Sequence, residues 1–105
     1  MIMIEGLAEL SKQKENLEKV AFVLKTIGHP VRLKIIILLS MYESMTVNDI
    51  VEKCDTEQSL VSHHLNNMKL KGILESRREG KHIYYSVKLQ EVLNVIECMS
   101  TCKIK

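Results

Sequence analysis

The stretch QSLVSHHLNNMKLKGILESRREGKHIYYSV, Gln58 to Val87, decides the fold. In its first half Val61, Leu65 and Met68 share one helical face, and Gln58, Ser59, Ser62, His63 and Asn66 share another. Gly72 ends this helix. Beyond it, Ile73 to Arg77 and His82 to Val87 read as strands, with Glu79-Gly80 at the turn between them. Arg77, Arg78 and Lys81 crowd that turn. Tyr84 and Tyr85 alternate across the second strand, one facing the core and the other outward. A short helix followed by a basic-tipped hairpin is the second half of a winged helix-turn-helix.

The first half lies just upstream. Thr46-Val47-Asn48-Asp49 has the form of a capping box, with Asp49 in place of the usual glutamate, and Val47, Ile50 and Val51 form the apolar side of the helix it opens. Cys54-Asp55-Thr56 breaks that helix, and Asp55 or Thr56 is placed to cap the next. Val31 to about Met41 is apolar on most sides, which predicts a central core helix, and Tyr42–Ser44 a short loop. Before it, Gly28 is expected to close a helix in the left-handed conformation, and Pro30 suits a first helical turn. That earlier helix, Glu5 to Ile27, carries Leu10, Leu17 and Leu24 every seven residues, with Val20 and Ile27 interleaved. Its stripe can be buried by a partner subunit or by the domain's own core. Leu89 to about Thr101 forms a last helix with Leu89, Val92, Leu93, Ile96 and Met99 on one side. The fold class is mainly α with a small β-hairpin, in the order α-α-α-α-β-β-α, as one domain over residues 1–105.

The 105 residues carry a net charge of only +2, but the charge is unevenly spread. Residues 58–90 hold six Lys/Arg against Glu75 and Glu79, whereas residues 1–57 have a balance of −2. A basic segment on a near-neutral chain suits a polyanion-binding surface, although a solvated charged face has the same composition. The groups on the outer face of the Gln58 helix donate and accept hydrogen bonds, as readers of base edges in a DNA major groove must. We therefore expect Gln58, Ser59, Ser62 and His63 to read bases. His64, Asn66, Lys69, Arg77, Arg78 and Lys81 are expected at the DNA backbone, with packing an alternative for His64.

Three segments, VLKTIGHPVRLKIIILL, SLVSHHLNNMKLKGIL and SRREGKHIYYSV, together resemble the ArsR/SmtB-type bacterial transcription regulators. The similarity runs from about Phe22 to Val87, and the combination is specific where any one segment alone is weak. It implies a homodimeric winged helix that binds double-stranded DNA at a palindromic operator and usually represses. It also implies dimerisation through the first and last helices (residues 5–27 and 89–101), with the helix-turn-helix at 46–71 and the wing at 73–87. The interface residues implied are Leu10, Leu17, Val20, Leu24, Val92, Ile96 and Met99.

The chain departs from the metal-sensing members. MTVNDIVEKC lacks a cysteine pair, the last helix has no His or Asp, and the core helix lacks the cysteine that thiol sensors use. No metal and no cofactor is therefore expected, and the effector is unknown. Cys98 and Cys102, four apart on one helix side, form a candidate thiol switch; the alternative is that Cys98 packs as a small apolar residue and Cys102 ends the helix. Adjacent His63 and His64 point about 100° apart and cannot readily chelate one ion. No apolar run approaches a membrane span and no signal-type start is present, so a cytoplasmic location with reduced thiols is expected. No nucleophile–base pair, phosphate-binding glycine loop or carboxylate pair indicates an enzyme. A winged-helix protein-interaction module without DNA binding is the competing class, distinguished by a gel shift.

Overall fold

The computed structural model describes residues 14–100. Five helices and three strands follow in order: α1 (Lys14–Ile27), α2 (Pro30–Tyr42), β1 (Met45–Thr46), α3 (Val47–Cys54), α4 (Gln58–Leu70), β2 (Leu74–Glu79), β3 (His82–Val87) and α5 (Gln90–Ser100). The winged helix-turn-helix class is the one expected, with one added strand. Met45–Thr46 pairs antiparallel with Tyr84–Tyr85, so the sheet order is β1-β3-β2. The hairpin register places Leu74 opposite Val87 and Glu79 opposite His82.

The core is aliphatic, as a chain with one phenylalanine and no tryptophan requires. Ile35, Ile36 and Leu39 of α2 meet Ile50 of α3, Val61, Leu65 and Met68 of α4, and Ile73 and Leu74 at the start of the wing. Such buried side chains contribute about 1.5–3 kcal/mol each relative to exposure. Tyr85 packs against this core, while Tyr84 lies on the opposite face beneath the Arg77 guanidinium, 5.5 Å from ring centre to Cζ.

Local chemistry sets the helix ends. His29 caps α2 through Nδ1, which accepts from the Val31 N–H at 3.1 Å, with Pro30 following at the first helical position. The capping box of α3 is present in both halves: Thr46 Oγ1 accepts from Asp49 N–H, and Asp49 Oδ2 from Thr46 N–H. Gly72 and Gly80 take positive φ values of 79° and 62°, closing α4 and turning the hairpin.

Two expected caps are corrected. Gly28 is not left-handed; a Cβ there would lie 3.0 Å from the Leu24 carbonyl oxygen, so glycine serves close approach instead. Neither Asp55 nor Thr56 caps α4. Asp55 instead closes α3 with φ 51°, its N–H donating to the Val51 carbonyl, and the Thr56 hydroxyl donates to the Cys54 carbonyl. Glu57 occupies the cap position of α4 without a side-chain hydrogen bond.

Candidate nucleic-acid interface

α4 is held from beneath by Val61, Leu65 and Met68, so its opposite side is presented outward. Gln58, Ser59, His63 and Asn66 are exposed there, and Ser62 is half-buried. No carboxylate occurs between Gln58 and Leu70. The first-turn N–H groups of α4 have no side-chain cap, which leaves donors and a positive dipole end at the surface. Lys69 is exposed in the last turn.

The wing continues this basic surface. Arg77, Arg78 and Lys81 are all exposed, but they are not equivalent. Arg77 Nε lies 2.7 Å from Glu79 Oε1, an exposed ion pair, whereas no ion pair involving Arg78 or Lys81 occurs among the described residues. Pairing two residues apart along one strand is natural, because both side chains leave on the same face.

Of the two places expected for His64, the DNA backbone and the interior, it takes the interior. It is only 5% exposed, and burial removes it from the DNA-backbone set. Its Nδ1 accepts from Arg32 Nε at 2.9 Å, and the same guanidinium donates through Nη1 to the Thr26 carbonyl at 3.0 Å. The His29 ring lies 4.7 Å and the His63 ring 5.6 Å from that of His64. Burial pushes the His64 pKa down, and the Arg32 charge, then His29 and His63, push it further in the same direction. His64 Nε2 and Asn67 Oδ1 are buried with no hydrogen-bond partner among the described residues. Sequence reading gave Arg32 no role; it showed only as one of two charges, with Lys34, on a largely apolar helix.

The expected dimer residues separate into groups. Leu17, Val20 and Leu24 are exposed on α1, and Met99 on α5. Val20 and Leu24 line an apolar groove of about 270 Å³ with Val92 and Val95. Val92 is 1% exposed, so it belongs to the core of the single chain, a correction caused by the packing of α5 against α2 and β3. Ile96 and Met99 border a different cavity, of about 690 Å³, between α5 and α2 beside Leu33, Ile37 and Met41. Leu10 and Cys102 lie outside the described residues. Cys98 is exposed on α5, and Cys54 is buried in α3, where burial raises its thiol pKa despite the opposing charge of Lys34.

Among the described residues no group of three or more His, Cys, Asp or Glu is placed to hold a metal ion. Likewise, no described helix is long and apolar enough to cross a membrane.

A helix-turn-helix from α3 to α4, followed by a basic β2–β3 hairpin, defines a winged helix-turn-helix protein. Residues 29–76 match the model of the family described as bacterial regulatory protein, arsR family. An uncharacterised HTH-type transcriptional regulator of Methanocaldococcus jannaschii is 37% identical over 86 residues, covering 79% of this chain and 97% of that protein. The transcriptional repressor PagR of Bacillus anthracis is 38% identical over 85 residues, covering 81% of this chain and 85% of PagR. Its crystal structure superposes with a TM-score of 0.76, covering 83% of this chain and 99% of the PagR chain. A homodimeric winged helix-turn-helix DNA-binding domain from Mycobacterium bovis, 28% identical, has a TM-score of 0.69 over 80% of this chain and 77% of its own. The chain belongs to the arsR family of bacterial regulatory proteins.

Proposed function

We propose that the protein is a homodimeric, sequence-specific regulator of double-stranded DNA that represses at a palindromic operator. The observation that carries this is the carboxylate-free outer face of α4, set beside the exposed cations of the wing. Gln58, Ser59, Ser62 and His63 supply donors and acceptors for base edges, while Asn66, Lys69, Arg77, Arg78 and Lys81 face phosphates. The dimer is supported by the exposed apolar stripe of α1, Leu17, Val20 and Leu24, which runs alongside the α1–α5 groove. Two copies joined there present two α4 helices for two half-sites.

The test is selection of bound duplexes from a random library by the purified protein, with sedimentation in parallel. A dimer that enriches a palindrome with half-site centres about one turn, ~34 Å, or a multiple apart is the expected outcome. A stable monomer, or binding with no sequence enriched, overturns the reading.

A further inference from the structure

Arg32 joins three elements. It rises from the first turn of α2, donates through Nη1 to the carbonyl of Thr26 in the last turn of α1, and donates through Nε to Nδ1 of His64 in the middle of α4. The Thr26 hydroxyl in turn donates to the Phe22 carbonyl one turn earlier, so the anchor point on α1 is itself held. We propose that Arg32 is a positioning residue for DNA recognition, tying α4 to the C-terminal end of α1 through His64, and that protonation of His64 releases this tie and weakens DNA binding in acid. The proposal rests on α4 being the helix that enters the groove.

The chemistry follows from the two ring nitrogens. With Nδ1 accepting from Arg32, neutral His64 carries its proton on Nε2. Imidazolium has no acceptor. A proton on Nδ1 would set an N–H against the Arg32 N–H and a second cation beside the guanidinium. Among the described residues, the charged and titratable groups facing the ring are Arg32 from α2, His29 from the α1–α2 connection and His63 from α4 itself. No carboxylate among the described residues faces the ring to stabilise the cation.

The sign is therefore set. The His64 pKa is lowered from its ordinary 6.5, chiefly by burial and then by Arg32, so the tied state favours the neutral ring. Above that ordinary value the tie is complete. As pH falls below it, protons are taken up preferentially by states in which His64 has left Arg32, and the loss grows until the lowered pKa is passed. Because α1 lies at the proposed dimer surface and α4 at the proposed DNA surface, the tie links the two. By reciprocity, bound DNA must resist protonation of His64.

The experiment has two arms. In the first, affinity for a selected duplex is measured at about pH 7.5 and about pH 5.5 for wild type and His64→Gln, whose amide oxygen can accept from Arg32 at either pH. Wild type is expected to lose at least about fivefold more affinity over this interval than His64→Gln. Effects of pH that arise elsewhere in the protein are common to both and cancel. Equal pH profiles overturn the proposal. In the second arm, histidine and amide resonances of the DNA-free protein are followed through the same titration. His64 is expected to titrate below its ordinary value, to move the Thr26 and Ile27 amides as it does so, and to titrate higher in Arg32→Gln. Titration at or above the ordinary value, or without a response at Thr26 and Ile27, overturns the proposal even where no duplex binds. Failure of every duplex, with His64 titrating below its ordinary value and moving Thr26 and Ile27, instead removes the DNA-binding function and leaves the α1–α4 tie standing.

Discussion

Replacing single cations of the wing should change salt dependence by amounts that depend on what each cation already touches. Removing one phosphate contact lowers the slope of log affinity against log salt by about 0.9. A dimer presents two wings, so Arg78→Ala removes two contacts and lowers the slope by about 1.8. Between about 50 and 200 mM salt, the variant therefore loses roughly tenfold less affinity than wild type. Lys81→Ala behaves alike. Arg77 differs, because its Nε is already 2.7 Å from Glu79 Oε1 and its guanidinium lies over Tyr84. It must leave Glu79 to reach a phosphate, an exchange offset by an exposed ion pair worth about 0–1 kcal/mol. Arg77→Ala should therefore lower the slope less than Arg78→Ala, and Glu79→Gln should steepen it. Fluorescence anisotropy of a labelled duplex across a salt series measures all four. An Arg78→Ala slope equal to wild type, or an Arg77→Ala slope as low as that of Arg78→Ala, refutes the reasoning.

Gln58→Ala or Ser62→Ala should cost roughly 1–3 kcal/mol on the selected duplex and little on random DNA, as competition binding will show. Thr46→Ala removes the hydroxyl half of the α3 capping box and should lower stability by about 1 kcal/mol in urea denaturation, with the unfolding slope unchanged. Iodoacetamide at neutral pH should label exposed Cys98 well before Cys54, whose thiol is buried and held protonated by its raised pKa, so mass spectrometry finds Cys54 modified chiefly after unfolding.

The helix-turn-helix and wing were legible because their signals are local. Apolar spacing placed Val61, Leu65 and Met68 together, and Gly72 and Gly80 marked the turns that require positive φ. Strand β1 was not legible, since two residues are too few for alternation to show; it exists only through pairing with β3. The burial of Val92 also escaped, because a helical stripe does not say which of its members meets the chain's own core and which is left outside. The Arg32–His64 contact spans 32 positions between two helices, and no periodicity encodes it. The roles of Asp55 and Thr56 were misassigned because both residue types serve either end of a tight inter-helix turn.

Strand β2 is a long outer edge of the sheet, with one side of its ladder unpaired. Such an edge invites strand addition from another copy and hence aggregation. Here four of its six residues, Glu75, Arg77, Arg78 and Glu79, are charged and exposed. The side chains assigned to phosphates are thus also gatekeepers that keep wings from zipping together in concentrated solution. Selection for solubility and selection for DNA affinity act on the same two arginines, so a wing that drifts away from DNA binding still has a reason to retain them.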